Sequence, residues 1–263
     1  MIFSDLFFLF AFLPAFFLCY LLAAVGDKEL FSSRVSALDP SQMACRNVLK
    51  NAVLVVFSLI FYAWGEPVYV FLMLFSSLIN YISGLNIAGR MQSRRKTALV
   101  VGISLNLLML GIFKYLGFFA GILSDLGMNI KVPNIALPIG ISFYTFQSIS
   151  YLVDVYRNES PVQRRYPDLL LYISMFPQLV AGPIERPDNL LPQLIKEKEF
   201  DYNKAVYGLK LMTVGFFKKI VVADNLAYYV DMVYNDLSYY QGFALVLAAF
   251  FFTIQIYCDF SGY

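Results

Sequence analysis

The sequence predicts an all-α fold in which a bundle of transmembrane helices, some of them broken or re-entrant, forms the body of the protein. Hydrophobic residues make up 59% of the chain and charged residues 14%, whereas soluble domains carry about 25% charged residues. Uncharged runs recur that are long enough to cross a bilayer core of about 30 Å. A chain of this composition lacks the polar residues that would cover a surface in water, so we predict a polytopic membrane protein.

The first part of the chain contains five predicted spans. The first span covers residues 6–25. Residues 52–85 contain one charged residue, and the sequence WGEP at 64–67 divides them, which predicts a tight helical hairpin with both helices in the membrane. The fourth span covers residues 97–119, and the fifth, which carries no charge, covers residues 135–153.

The second part of the chain has a less regular pattern. Residues 169–184 are uncharged, but three helix-breaking residues interrupt them: Pro177, Gly182 and Pro183. Broken backbone at membrane depth persists only where it is buried in protein or lines a wet cavity, so this segment predicts a re-entrant or discontinuous helix. A further helix is predicted at 205–222 and a last span at 237–258. No internal repeat or soluble linker is visible, and we therefore expect one membrane domain over residues 1–263.

The distribution of lysine and arginine predicts the orientation of the chain. Three loops that would share one side hold these basic residues: Lys28, Arg34, Arg46, Lys50, Arg90, Arg94, Arg95, Lys96, Arg157, Arg164 and Arg165. The opposite loop at 120–134 holds only Lys131. Cytoplasmic loops carry an excess of basic residues, so we expect the three loops in the cytoplasm and the N-terminus outside. The net charge of +2 gives no reason to expect a nucleic-acid partner.

The chain contains no histidine, the residue that most often acts as a general base near neutral pH. The sequence signatures of hydrolase, nucleotide-binding and metal sites are absent as well. The three cysteines are irregularly spaced, and no histidine is present to complete a zinc-binding set. The residues therefore predict free thiols, no bound metal and no complete catalytic set in this chain.

A polar helix face in the fifth predicted span is the first candidate site. At about 3.6 residues per turn, Tyr144, Gln147 and Tyr151 share one face, with Ser148 beside them. Polar residues in apolar surroundings are functional candidates, and this face could form the wall of a substrate passage. The alternative is hydrogen bonding between helices, which is common for such residues.

The broken segment and the end of the chain supply the other candidates. Gln178 lies at the centre of the broken segment, where it could line a cavity, although its proline and glycine neighbours could also be simple kinks. Asp259, Ser261 and Tyr263 follow the last predicted span. They are either functional residues or a polar cap at the membrane interface.

Four strings of this sequence together resemble the membrane-bound O-acyltransferase family. They are LPIGISFYTFQSISYLVDVYR at 137–157, FPQLVAGPIERP at 176–187, GFFKKIVVADNLA at 215–227 and QIYCDFSGY at 255–263. The closest branch is the bacterial alginate O-acetylase type, which is related to the D-alanyl transferase of teichoic acid. The resemblance covers nearly all of the chain in order, and it implies that these residues are the N-terminal half of such an enzyme.

The resemblance implies a multi-helix body in the bacterial cytoplasmic membrane with a passage through it. The family's catalytic histidine is expected downstream of Tyr263, where it would help a substrate hydroxyl to attack an acyl donor presented from the cytoplasmic side. That donor, acetyl-CoA or an acyl carrier, would be a substrate, so no bound cofactor is expected. The acceptor would be an exported or cell-envelope polysaccharide such as alginate or peptidoglycan, or a partner envelope acetyltransferase. Six supporting residues would line the passage: Tyr144, Gln147, Gln178, Asp259, Ser261 and Tyr263.

Two other functions fit the pattern of broken helices and polar residues. A transporter or flippase could move a substrate without chemistry, since such proteins also place broken helices and polar residues at the membrane midplane. A membrane scaffold subunit without activity is the third hypothesis. The resemblance favours the acyltransferase, and a chain of 263 residues without histidine is expected to be inactive by itself.

Overall fold

The computed structural model describes residues 5–32, 47–89, 92–126, 136–179, 182, 185–195 and 200–262. These residues form helices and the turns between them. The chain divides into two compact units. Unit 1 contains the helices α1 to α9, and unit 2 contains α10 to α12 together with a short π-helical turn at Phe8–Phe12. The single domain expected over residues 1–263 stays a prediction.

Unit 1 begins with five helices. Their bounds are Leu13–Ser32 for α1, Val48–Gly65 for α2, Tyr69–Gly89 for α3, Gln92–Leu110 for α4 and Leu116–Asp125 for α5. A π-helical turn at Gly111–Tyr115 joins α4 to α5. The turn Pro67–Val68 separates α2 from α3, which confirms the hairpin that the WGEP sequence predicts.

Four further helices complete unit 1. They are α6 at Ile141–Arg157, α7 at Tyr166–Ser174, α8 at Phe176–Leu179 and α9 at Pro187–Ile195. Because α7 ends and α8 begins around Met175, the discontinuous helix predicted at 169–184 is present in the described part of that segment. Its position relative to the bilayer stays a prediction.

Unit 2 contains one long interrupted helix and one continuous helix. The interrupted helix consists of α10 at Tyr202–Phe216, a π-helical turn at Phe217–Ala223 and α11 at Asp224–Asn235. It is longer than the helix predicted at 205–222. The continuous helix, α12, spans Phe243–Gly262. It begins six residues later than the predicted span at 237–258, because the turn before it contains Gly242, whose φ of 62° is left-handed.

Among the described residues, five helices are long and apolar enough to cross a membrane: Phe8–Asp27, Val48–Gly65, Tyr69–Gly89, Arg94–Asp125 and Phe243–Gly262. The chain is therefore an all-α, multi-pass membrane protein. The span predicted at 135–153 is not one of the five. Its helix starts only at Ile141, after Pro138 and the left-handed Gly140, and its 17 residues reach about 25 Å at 1.5 Å per residue.

Helix α6 lies at the centre of the core of unit 1. Tyr144, Tyr151 and Leu152 on this helix are fully buried. Two glycines let the neighbouring helices approach, since a Cβ at Gly84 would lie 2.9 Å from the Tyr151 hydroxyl and one at Gly102 would lie 2.9 Å from Leu152 Cδ1. Small residues are the usual means by which membrane helices pack closely.

A buried pair of amides joins α3 to α4. Asn80 Nδ2 donates to Asn106 Oδ1 at 3.1 Å, and Asn106 Nδ2 donates to Asn80 Oδ1 at 2.8 Å. Each amide also donates to a carbonyl one turn earlier on its own helix, Ser76 O and Gly102 O respectively. Both side-chain amides therefore have hydrogen-bond partners, and the pair fixes the register of α3 against α4.

Replacing Asn80 by leucine is expected to lower the free energy of unfolding by about 1–2 kcal/mol, because Asn106 loses its partner on the other helix. The measurement is unfolding in denaturing detergent, followed by the fluorescence of Trp64, the single tryptophan. Asn106→Leu is the reciprocal variant. If the double variant lost as much free energy of unfolding as the two single variants lose in sum, the amides would not be coupled and the prediction would be wrong.

Candidate functional site

The backbone break between α7 and α8 forms the first polar junction, in unit 1. Gln147 Nε2 and Gln178 Nε2 both donate to the carbonyl oxygen of Tyr172, each at 2.7 Å. Both glutamines are buried. Two residues that the sequence singles out separately, one on α6 and one on α8, therefore converge on a single backbone oxygen.

The helix break explains why this carbonyl is available. In a continuous helix the amide of Phe176 would bond to Tyr172 O, four residues earlier. Here the Phe176 amide instead donates to Ser58 Oγ on α2 at 3.2 Å. The carbonyl that this leaves unpaired would be costly in an apolar interior, and the two glutamine amides satisfy it. Side chains from neighbouring helices thus stabilise the break, as broken membrane helices require.

Several buried hydroxyl groups lie on α6 and α7, the helices of this junction. Tyr62 Oη donates to the carbonyl of Ile139 at 3.1 Å, and the buried hydroxyl of Tyr144 has no hydrogen-bond partner among the residues that the structure describes. Three further hydroxyls, those of Thr145, Ser148 and Ser174, are buried and have no hydrogen-bond partner within the described part of the chain. They provide donors and acceptors inside unit 1 that a polar substrate or water could use.

A close backbone contact fixes α6 against α8. Gly140, at the N-terminus of α6, has φ 76°, and a Cβ at this position would lie 2.7 Å from the carbonyl oxygen of Leu179. Tyrosines of α2 and α3 hold the segment before α6, since Tyr62 Oη donates to Ile139 O at 3.1 Å and Tyr69 Oη donates to Ala136 O at 2.8 Å. Glycine is therefore required at position 140, because both the positive φ and the nearby carbonyl of Leu179 disfavour a residue with a Cβ.

An ion-pair cluster forms the second polar junction, in unit 2. Lys219 Nζ lies 2.9 Å from Asp259 Oδ1 and 3.0 Å from Asp224 Oδ1. Lys219 belongs to the π-helical turn Phe217–Ala223, whereas Asp259 lies near the end of α12. The wider π turn places Lys219 and Asp224, five residues apart, on one side of the helix. Lysine and two aspartates therefore join the two antiparallel helices of unit 2.

The two helices of unit 2 touch through glycines at this junction. A Cβ at Gly215 would collide with the backbone carbonyl of Gly262, and one at Gly262 would lie 3.0 Å from the carbonyl of Gly215. Gln255, one turn before Asp259, has a buried side-chain oxygen with no partner among the residues that the structure describes. A strip of polar and small residues on α12 thus faces the interrupted helix.

The pKa of Lys219 is raised above its usual value. Burial by itself would lower the pKa, but Asp259 and Asp224 together outweigh it through hydrogen bonds and charge. The ammonium form of Lys219 is therefore favoured.

The six residues that the sequence proposes as a passage lining fall into two groups. Gln147 and Gln178 meet at the Tyr172 carbonyl in unit 1, and Tyr144 is buried on α6. Asp259 lies in unit 2 with the exposed Ser261. Tyr263 lies outside the described residues. The hydrogen bonds of Gln147 and Gln178 show that these amides join helices, the alternative left open for Gln147, and a passage role for them stays a proposal.

Sequence reasoning missed two functional groups. The role of Tyr172 could not be read from its side chain, because the group involved is its backbone carbonyl. Gln147 and Gln178 were the available sign, since buried amides near a predicted helix break indicate that a backbone group there needs a hydrogen-bond partner. The sequence also showed no sign of the ion pairs of Lys219, because its spacing to Asp224 does not match the i, i+3 or i, i+4 pairs of a regular helix. Among the described residues, no cluster of three or more histidine, cysteine or acidic side chains could hold a metal ion.

The four strings that carry the family resemblance pack in pairs. Residues 137–157 meet residues 176–187 at the Tyr172 carbonyl and at Gly140. Residues 215–227 meet residues 255–263 at Lys219 and at the glycine contact. Segments that are far apart in sequence thus form one polar junction in each unit.

Comparison with known proteins finds relatives along the whole chain. The chain is 34% identical over 270 residues to a probable alginate O-acetylase, AlgI, of Pseudomonas aeruginosa, of which it covers 47%. It is 31% identical over 299 residues to a peptidoglycan O-acetyltransferase of Helicobacter pylori, of which it covers 52%. A teichoic acid D-alanyltransferase of Bacillus subtilis is 22% identical over 48% of the chain.

The chain spans about half the length of the curated relatives it matches. No protein-family model matches it. No solved structure matches it either.

Proposed function

We propose that this chain belongs to an enzyme that O-acylates an exported or cell-envelope polysaccharide. The chain is related over its whole length to the N-terminal half of alginate O-acetylases and peptidoglycan O-acetyltransferases of the membrane-bound O-acyltransferase type. The observation that carries the proposal is this similarity of 31–35% identity along the entire chain. The two polar junctions add to it, since their side chains Gln147, Gln178, Lys219 and Asp259 all lie within the four strings that the resemblance rests on.

The proposed reaction transfers an acyl group from a thioester to a hydroxyl. The hydroxyl oxygen of the acceptor attacks the acyl carbonyl carbon, the carbon–sulfur bond breaks and the thiol of the donor leaves. A base must take the hydroxyl proton as the new bond forms. The chain has no histidine, so the base is expected in residues that follow Tyr263 in the relatives. The donor, acetyl-CoA or an acyl carrier, is a substrate and not a resident cofactor.

The residues of this chain would build part of the passage in which donor and acceptor meet. Tyr144, Gln147 and Gln178 would shape its wall in unit 1. The buried hydroxyls of Ser148 and Ser174 would offer hydrogen bonds to a polar substrate. Asp259 and Ser261 would play supporting roles in unit 2, and none of these residues would act as the base.

We place the protein in the bacterial cytoplasmic membrane with its N-terminus outside. Basic residues are concentrated in the loops around α1–α2, α3–α4 and α6–α7, and cytoplasmic loops carry such an excess. In this orientation the acyl donor approaches from the cytoplasm. The acceptor, a polysaccharide or a partner envelope acetyltransferase, is reached from the other side.

A transporter without chemistry is less well supported. Broken helices such as α7–α8 occur in transporters, but the relatives along the whole chain are named as acetyltransferases, and no internal repeat is visible in the sequence. A scaffold subunit without activity is disfavoured for the same reason.

The proposal is tested with the complete gene product in membrane vesicles. Vesicles supplied with isotope-labelled acetyl donor on the cytoplasmic side are expected to transfer label to a polysaccharide hydroxyl or to a partner acetyltransferase. Residues 1–263 expressed alone are the matched control, and they are expected to transfer none because they contain no histidine. Failure of the complete protein to label any acceptor would contradict the proposed function, and transfer by residues 1–263 would contradict the assignment of the base.

A further inference from the structure

The two helices of unit 2 are paired along only part of their length. The interrupted helix runs from Tyr202 to Asn235, which is about 50 Å at 1.5 Å per residue. Helix α12, at Phe243–Gly262, is about 30 Å long. Residues 236–242 form the turn between the two helices, so their ends are level there. The difference of roughly 20 Å therefore lies at the other end, beside α10.

Contacts along the pair fix its direction and register. In order along the interrupted helix they are Gly215 with Gly262, Lys219 with Asp259, and Tyr234 with Phe252. Residue numbers fall on α12 as they rise on the interrupted helix, so the two helices are antiparallel. The C-terminal end of α12 therefore points along α10 towards Tyr202, and the pairing stops at Gly215.

The face of the interrupted helix that meets α12 continues beyond Gly215. At about 3.6 residues per turn, Ala205, Gly208 and Met212 share a face with Gly215, at spacings of three and four residues. The structure describes all 15 residues of α10, and Gly215 is the one that is buried. A Cβ at Gly208 would have nothing within 4 Å, whereas a Cβ at Gly215 would collide with Gly262. One continuous helix face is thus packed on one side of Gly215 and open on the other.

The open face lies directly ahead of the end of α12. The chain covers 47% and 52% of two curated relatives, so proteins of this kind continue well beyond the matched residues. A helix that continued straight from α12 would lie along the open face, in the same antiparallel packing. We propose that the segment following Tyr263 in the complete protein continues α12 as a helix and packs on α10 at Ala205, Gly208 and Met212. The inference rests on the proposed function only in taking the complete protein to continue past Tyr263, as these relatives do.

The existing pairing determines which residues would meet. Both helices advance 1.5 Å per residue, so each step before Gly215 corresponds to one step after Gly262. Gly208 lies seven residues before Gly215 and is expected to face the residue about seven positions after Gly262. The extension would need about 13 residues to reach the level of Tyr202. Glycine at 208 would let the two backbones approach closely, as Gly215 does one step along the same face.

The first test is cross-linking in the complete protein, with every native cysteine replaced by serine. Gly208→Cys is combined with a single cysteine at each position from about five to about nine residues after Gly262. A short bifunctional thiol reagent is expected to link Gly208→Cys most strongly to the position about seven residues after Gly262, as measured by mass spectrometry of the linked peptides. Tyr234→Cys with Phe252→Cys is the positive control, because these rings are 6.5 Å apart. Lys210→Cys, on the opposite face of α10, is the matched negative control.

Each outcome of this test decides the proposal. No link at any of the positions, in a protein whose positive control reacts, would overturn it. A product of doubled mass would assign the face to a second copy of the chain, and equal linking of Gly208→Cys and Lys210→Cys would show that no helix is packed there. The readout involves no acyl transfer, so the proposal can fail while the proposed function stands.

The second test is the direction of a stability change in the complete protein. If the face at Gly208 were open, Gly208→Leu would raise the midpoint of thermal unfolding, because leucine favours helix over glycine. If the following segment packs there, the leucine side chain forces the helices apart, and the midpoint is expected to fall by about 2–6 °C. Val214→Leu, on the opposite and exposed face, is the control and should change the midpoint by no more than about 1 °C. An unchanged or raised midpoint for Gly208→Leu would contradict the proposal.

Discussion

Replacing Gly140 by alanine is expected to lower the free energy of unfolding of unit 1 by about 2–4 kcal/mol, among the largest effects of any single substitution in this chain. Two costs combine at this position. The φ of 76° is unfavourable for any residue with a Cβ. The added methyl group would also lie 2.7 Å from the carbonyl oxygen of Leu179, which is backbone and cannot rotate away.

The measurement is unfolding in denaturing detergent, with Trp64 of α2 as the fluorescent reporter. Gly89→Ala is the matched control, because Gly89 is helical with an ordinary φ and has nothing within 4 Å of the position that a Cβ would occupy. That control is expected to be neutral or slightly stabilising, since alanine favours helix over glycine by about 1 kcal/mol. Equal stability of the two variants would show that α6 and α8 are not in contact at Gly140.

Replacing Lys219 by methionine is expected to destabilise the packing of α12 by about 1–3 kcal/mol. The change removes the cation that lies between Asp224 and Asp259 and leaves two carboxylates close together. Removing one partner of a buried ion pair costs about 3–5 kcal/mol. The expected effect is smaller because the side chains of Lys219 and Asp259 are 20% and 35% exposed, and exposure to solvent weakens ion pairs.

The reporter for this prediction is Cys258, which precedes Asp259 on α12. In a protein that carries Cys19→Ser and Cys45→Ser, the rate of thiol labelling at Cys258 is expected to rise at least about fivefold, the effect of 1 kcal/mol on a local opening equilibrium. Lys218→Met is the control, since Lys218 makes no ion pair among the described residues. Adding Asp259→Asn to the Lys219→Met variant should restore much of the lost stability and bring the labelling rate at Cys258 back down. An unchanged labelling rate would mean that the cluster does not hold the helices together.

The pH dependence of this cluster follows from the raised pKa of Lys219. A lysine whose pKa is higher in the folded state contributes stability that is fully present below its unfolded pKa. The contribution is lost as the pH rises through the folded value. Local stability near Asp259 should therefore be constant around neutral pH and fall only in strongly alkaline solution, a fall that the Lys219→Met variant should not show.

Helix positions could be predicted because they depend on local patterns. The hairpin at residues 64–67 follows from a short polar break in a long apolar run, and the buried face of Tyr144, Gln147 and Tyr151 follows from helical spacing. Helix starts were less predictable. Gly140 and Gly242 delay α6 and α12 through left-handed backbone angles, which hydropathy does not report.

The polar junctions were harder to predict than the helices. Gln147 and Gln178 are visible as polar residues in apolar surroundings, but their common acceptor is a backbone carbonyl that becomes available only because Phe176 bonds to Ser58. Nothing in the sequence indicates that the Phe176 amide bonds to Ser58 and not to the Tyr172 carbonyl. The Lys219 cluster has the same property, since a π turn changes which residues share a helix face.

The amino-acid sequence alone determined that this protein is a multi-pass helical membrane protein with a broken segment, and its four strings indicated an acyltransferase. These properties follow from hydropathy and from residue order, which are local. Only the tertiary structure decided which polar groups meet: the glutamines at Tyr172 and the lysine between two aspartates. Hydrogen bonds and ion pairs act over about 3 Å, and residues far apart in the chain come within that distance only after the helices pack.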